Sequence, residues 1–218
     1  MASHYTYEVV LPDHYNPAAK YPAVFAMHGK GSNEQQMIPL LEGLKDDFIV
    51  ISIRGDLPLG SGYAYFHIKS IGNPIRELFD QAVQQLQRFI DDATAQYAVD
   101  PARRYLLGFS QGAILSMSLA LVMGERIKGI AALNGYLPSF VKNEYPLQPV
   151  KHTSIFISHG EYDQVFPRHI GDDNADYFRQ ASDHVTYRTY AAGHEVPLEN
   201  KRDFTIWLKQ DAMTINTL

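Results

Sequence analysis

Five short segments dominated by apolar residues recur along this chain: "PAVFAMHG" (22–29), "FIVISI" (48–53), "RYLLGF" (104–109), "GIAALNG" (129–135) and "SIFISHG" (154–160). A run such as 22–29, apolar at odd and even positions alike, must be covered on both faces, as a central parallel strand is. Between these runs lie amphipathic stretches. From Asn73 to Tyr97 the apolar residues Ile75, Leu78, Phe79, Ala82, Val83, Leu86, Phe89 and Ile90 return at helical spacing, with Pro74 as a first-turn proline. Further helices are expected from an Asn33 cap through Leu44, over 111–124, near 168–181 and over 204–210. "YTYEVVL" (5–11) reads as an early strand, antiparallel at an edge, and "HVTYRTY" (184–190) as the last one. Segments 54–72 and 136–152 read as loops, and Asp100-Pro101 ends the long helix. Alternating strands and helices imply an α/β fold, a mostly parallel twisted sheet with helices on both faces. One domain over 1–218 is expected from the length.

Composition narrows the function. A formal charge of −5 and scattered Lys and Arg exclude a nucleic-acid-binding stripe; the densest basic pairs, Arg103-Arg104 and Lys201-Arg202, suit a solvated surface. With no cysteine there is no disulfide and no thiolate nucleophile or ligand. The opening "MASHYTYEVVLPDHY" reads as a polar lead-in and a strand rather than a secretory leader, and no apolar run reaches membrane-span length. The expectation is a cytoplasmic protein without a membrane span, and assembly into a homodimer stays open.

The chemistry centres on Gly108-Phe109-Ser110-Gln111-Gly112, a G-x-S-x-G pattern. Alone the pattern is weak, arising by chance in roughly one chain of this length in twenty. Here it joins an apolar strand to an apolar helix, the setting the motif requires. Glycine at 108 and 112 removes the Cβ atoms that a sharp turn would drive together. The turn sets Ser110 at a helix start, where the Gln111 N–H is free to meet an oxyanion. The plainer alternative is a serine that merely caps the helix.

A serine hydroxyl needs a base. Asp163 follows the strand 154–160 and His194 follows the strand 184–190, in the order Ser, Asp, His and at the carboxyl edge of the sheet. The loop His28-Gly29-Lys30-Gly31 after an earlier strand offers the Lys30 N–H as a second oxyanion donor. Its glycines lack the P-loop spacing. "GHEVP" is not a zinc H-E-x-x-H helix. "GDDNADYF" (171–178) lacks the glycine of a calcium loop and reads as an acidic helix start. Serine at 110, rather than Asp or Cys, disfavours dehalogenase- and dienelactone-hydrolase-type chemistry.

At "HGKGSNE" (28–34), "RGDLPLGSGYAYF" (54–66), "GFSQGA" (108–113), "HGEYDQVFP" (159–167) and "GHEVP" (193–197) the chain resembles the phospholipase/carboxylesterase family of α/β-hydrolases, which includes acyl-protein thioesterases. The likeness runs from about residue 5 to the C-terminus. It implies Ser110, Asp163 and His194 as a triad and the Lys30 and Gln111 amides as the oxyanion hole, with no metal or organic cofactor. Eukaryotic thioesterases usually read H-G-L-G-D where this chain has His28-Gly29-Lys30-Gly31-Ser32, so the resemblance is closer to the bacterial carboxylesterase branch.

The expected function is therefore a serine hydrolase acting on small-molecule esters of small to medium acyl length. The alternatives are a lysophospholipase or acyl thioesterase on the same triad, or a non-catalytic ligand-binding protein of the same fold. Tyr63, Tyr65, Phe66, Leu137, Phe140, Val165 and Phe166 are expected to form an apolar substrate pocket. The excursion 136–152 is too short for a large lid, so the site should be open. Glu161 and Glu195, beside the triad residues, read as solvated surface.

Overall fold

The computed structural model describes residues 5–214; the first four residues of the polar lead-in lie outside them. Seven strands form the main sheet: β1 (Tyr7–Val10), β2 (Tyr21–Met27), β3 (Ile49–Ile53), β4 (Val99–Phe109), β5 (Gly129–Leu133), β6 (Ser154–Gly160) and β7 (Val185–Tyr190). Their spatial order is β1-β3-β2-β4-β5-β6-β7. β1 runs antiparallel to β3 at one edge, and the other pairs are parallel. This is the α/β-hydrolase architecture, and it brings the carboxyl ends of β2, β4, β5, β6 and β7 to one rim.

Alternation along the strands divides the core in two. Phe25 and Met27 of β2 face α2 (Arg76–Gln96), α3 (Gln111–Met123) and α5 (Arg168–Ala181). Their neighbours Val24 and Ala26 face the short α1 (Ile38–Leu41) and α6 (Leu198–Met213). Phe25, Met27 and Val24 each contribute about 1.5–3 kcal/mol by leaving water. Every residue of α3 except Val122 is buried. A helix apolar all round belongs inside a protein, so the residue at its start has a fixed support.

Local chemistry moves several elements from where the sequence puts them. Asn33 does cap, its Oδ1 accepting from the Gln35 and Gln36 amides, but it caps a 3₁₀ turn, Glu34–Gln36. Pro39 is tolerated only in a first helical turn, so the segment restarts as α1 and closes in another 3₁₀ turn, Glu42–Leu44. Segment 54–72 is no plain loop. Leu57–Leu59 pairs with Gly62–Ala64, and Ile68–Ser70 pairs with Asn73–Pro74. Their arms are too short to show a period, and Gly60 and Gly72, at φ +60° and +79°, make the turns. Pro74 thus lies in a hairpin, and α2 begins at Arg76.

Asp100-Pro101 does not end the long helix: α2 stops at Gln96, and the pair sits inside β4, where the register against β2 shifts between Tyr21 and Ala23. The excursion 136–152 contains a short helix, α4 (Ser139–Glu144). Gly171–Phe178 is the body of α5 rather than its start, and α6 begins at Leu198, directly after Pro197. Among the described residues, no helix is long and apolar enough to cross a membrane.

Candidate active site

β4 delivers the chain to Ser110, whose backbone stands at φ 53°, ψ −111°. A non-glycine residue there is strained by roughly 1–3 kcal/mol and persists only if its surroundings over-determine it. They do. The Ser110 N–H donates to the Leu133 carbonyl at 2.9 Å, and its carbonyl accepts from the Ala113 and Ile114 amides at 3.0 and 3.1 Å. A Cβ on Gly108 would lie 2.1 Å from the Gly112 backbone, and one on Gly112 would lie 2.0 Å from the Met27 carbonyl oxygen. Both glycines are compulsory for this bend.

The bend holds the hydroxyl 2.8 Å from His194 Nε2, while His194 Nδ1 lies 2.8 Å from Asp163 Oδ2. A carboxylate accepts, so the imidazole proton resides on Nδ1 and Nε2 is left bare as an acceptor for the Ser110 hydroxyl. The ring is flanked by Phe109 and Phe166, with centroids 5.1 and 5.2 Å away.

Asp163 is buried, and its carboxyl is fully engaged. Oδ1 accepts the Val165 and Phe166 amides, both at 2.8 Å, and Oδ2 accepts Asn134 Nδ2 at 3.0 Å besides His194. Burial alone would raise its pKa; the hydrogen bonds from Asn134, His194 and Phe166 outweigh that and hold it below the ordinary carboxylate value.

On the other side of Ser110, the Gln111 amide is the first of α3 and has no carbonyl a turn earlier to bond. The Lys30 amide lies on the loop after β2, and both residues line the same cleft as Ser110. Neighbouring amides are committed elsewhere: Gly31 N–H donates to the Tyr63 carbonyl at 2.8 Å. The Gln111 side chain ties the hairpin segment to the serine turn, accepting from Tyr65 N–H at 2.7 Å and donating to the Phe66 carbonyl at 2.8 Å. His28, fully buried, secures the Lys30 loop from below. Its Nδ1–H donates to the Gly29 carbonyl at 2.7 Å, and its Nε2 accepts from Gly55 N–H at 2.9 Å.

The cleft above Ser110 has a volume of about 360 Å³ and walls that are mainly apolar. Of the seven expected pocket residues, Phe66, Val165 and Phe166 line it. The other four do not. Tyr63 lies under the Arg54 guanidinium, 4.2 Å from its ring centre. Tyr65 is core, donating to the Ile53 carbonyl. Leu137 is buried beside α5, where its N–H meets Asn174. Phe140 stacks edge-on with Phe79, 5.2 Å away. Their places on the cleft are taken by Ile68, Ile71, Phe109, Ile114 and Tyr136. Ile114 was legible as the residue one helical turn beyond Ser110; the hairpin residues carried no periodic signal. Asn134, also missed, stands at φ 53° in an Asn-Gly pair directly after β5. Glu161 and Glu195 are exposed, as expected.

A model of the phospholipase/carboxylesterase family matches residues 9–209. The chain belongs to this family. Among curated relatives, a probable carboxylesterase, SOBER1-like, from Arabidopsis thaliana is 29% identical over 60% of this chain, a match spanning half of that protein's length. Acyl-protein thioesterase 1 from Candida albicans is 27% identical, over 67% of this chain and 68% of that one. The crystal structure of the Bacillus cereus carboxylesterase superposes with a TM-score of 0.85, covering 96% of this chain and 95% of the other at 20% identity, which shows the shared fold.

Proposed function

We propose that this member of the family is a serine carboxylesterase that hydrolyses small to medium acyl esters through an acyl-enzyme on Ser110. One observation carries the reading: the unbroken hydrogen-bond path from Ser110 Oγ through His194 to Asp163, 2.8 Å at each step. Ser110 Oγ attacks the ester carbonyl as its proton passes to His194 Nε2, and Asp163 stabilises the imidazolium so formed. The tetrahedral oxyanion is met by the Lys30 and Gln111 amides. Collapse expels the alcohol, which leaves with the proton from Nε2. Water then attacks the acyl group, gives its proton to Nε2, and the acid departs as Ser110 is restored.

The size of the cleft supports the substrate range, since about 360 Å³ is near the lower end for small-molecule sites. The same relay would serve a thioester, a reading favoured by the likeness to Acyl-protein thioesterase 1 from Candida albicans. A serine-directed fluorophosphonate tests the first reading. It should leave one adduct on Ser110, absent in Ser110→Ala. A non-catalytic binder would give none. Matched oxygen and thiol esters of rising acyl length then separate esterase from thioesterase.

A further inference from the structure

His159 is the last side chain of β6 before Gly160 and the loop that carries Asp163. It is 1% exposed, and no step of the proton relay uses it. Its Nε2 lies 2.6 Å from the Phe166 carbonyl oxygen. A carbonyl only accepts, so the ring proton sits on Nε2 and that group is the donor.

Two features at this side chain carry a cost that an aliphatic residue would avoid. Nδ1 is buried and has no hydrogen-bond partner among the described residues. The ring also requires a glycine within α5, because a Cβ on Gly171 would lie 2.7 Å from the His159 ring, and glycine weakens a helix relative to alanine. What both provide is one bond, from Nε2–H to Phe166.

That bond matters because of what else Phe166 does. Its N–H donates to Asp163 Oδ1 at 2.8 Å, its ring centre lies 5.2 Å from that of His194, and it lines the cleft. No backbone amide of the described residues donates to its carbonyl, and Pro167, next in the chain, has no N–H to tie the segment down. His159 Nε2 itself stands 3.7 Å from Asp163 Oδ2, beyond hydrogen-bonding reach, so its influence on the carboxylate runs through Phe166.

We infer that His159 is a positioning residue: by holding the Phe166 carbonyl it keeps the Phe166 N–H on Asp163 and the Phe166 ring against His194. The inference rests on the esterase reading above and goes beyond it, adding to the relay a residue that touches neither substrate nor reacting atoms. Asp163 is needed most in the transition state, where the imidazolium forms, so loss of this support lowers kcat.

The test compares His159→Gln, His159→Asn and His159→Leu with the wild type on p-nitrophenyl acetate. Rates are divided by the number of sites that a fluorophosphonate labels when run to completion, so unfolded protein drops out of the count. A glutamine can carry an N–H to about where Nε2 stands; the asparagine amide is a methylene shorter, and leucine has no donor. The kcat of His159→Gln is expected within about twofold of the wild type, and that of His159→Asn and His159→Leu on the order of fivefold lower. A side chain that merely filled space would not follow the reach of its donor. Equal kcat for the Gln and Asn variants, whether high or low, or a Gln variant slower than the Asn one, would overturn the inference and leave the esterase reading intact. That comparison stands even where His159→Leu fails to fold. A wild type that neither hydrolyses the ester nor takes the fluorophosphonate would sink both.

Discussion

Asn134 Nδ2 donates to Asp163 Oδ2, the same oxygen that receives His194 Nδ1. One carboxylate oxygen therefore orients the His194 imidazole and is itself oriented by an amide on the neighbouring strand end. The residue that provides this amide stands at φ 53°, where asparagine is tolerated and most side chains are not.

That conjunction separates two roles. Asn134→Gly keeps the backbone and deletes the amide, so kcat should fall about tenfold as the carboxylate loses one charged hydrogen bond. Asn134→Ala should show the same loss of rate and be about 1 kcal/mol less stable than the glycine variant, because it adds strain. Steady-state kinetics and urea unfolding on the pair measure the two effects. Equal stability of the variants would refute the assignment of strain.

The strain at Ser110 makes a second prediction. Ser110→Ala should lose turnover by roughly 10⁴–10⁶-fold while gaining little stability. Ser110→Gly should be equally inactive yet more stable than the wild type by about 1 kcal/mol, since glycine accepts φ 53°, ψ −111° without penalty. Thermal melting of the three proteins decides it; a glycine variant melting below the alanine one would contradict the backbone argument.

The glycines of the bend should be intolerant in a way that other glycines are not. Gly112→Ala would set a methyl 2.0 Å from a backbone oxygen, and a cost of about 3 kcal/mol or more is expected. Gly43→Ala meets the Thr205 side chain, its methyl 2.9 Å away, rather than backbone. Soluble yield and denaturant midpoint should drop for both and markedly further for the first.

Acid should weaken the fold in two separate windows. Burial, reinforced by Arg54, lowers the His28 pKa below its ordinary value, although the Gly29 carbonyl and Glu34 act the other way. The neutral ring is the one that fits, because Nε2 must stay bare to accept Gly55 N–H. His28 thus contributes stability fully present above about pH 6.5 and lost as pH falls through its lowered folded value. Asp163, also lowered in the fold, contributes stability present above about pH 3.9 and lost only below that. Unfolding free energy should begin to drop below pH 6.5, and His28→Gln should flatten that first decline while leaving the second. An unchanged slope between pH 6.5 and 5 in the variant would exclude His28 as its source.

What could be read in advance follows from where information is local. Ser110, Asp163 and His194 each sit one short step beyond an apolar strand, so strand pattern and chain order were enough to bring them to one rim. Gly108 and Gly112 announced the bend because no other residue type fits it. Ile68, Ile71 and Tyr136 were invisible as cleft residues for the opposite reason. The arms beside Ile68 and Ile71 are two or three residues long, too short for periodicity, and the segment leading into them is held by contacts distant in sequence, from Ser32 to Tyr63 and from the Gln111 side chain to Tyr65 and Phe66. Tyr63, Tyr65, Leu137 and Phe140 were misplaced because aromatic and apolar composition does not say which side of a loop faces the ligand.

One close approach sets how this rim behaves as a mechanical object. A Cβ on Gly160 would lie 2.2 Å from the Gly193 carbonyl oxygen, and the Tyr162 amide donates to the Ala192 carbonyl at 3.0 Å. The segments carrying Asp163 and His194 are thus pressed together main chain to main chain, with no side chain between to act as a cushion. A displacement of one carries the other along. Any opening of the rim would therefore fall between that pair and the Ser110 hydroxyl across the way, where the contact is made by side chains alone.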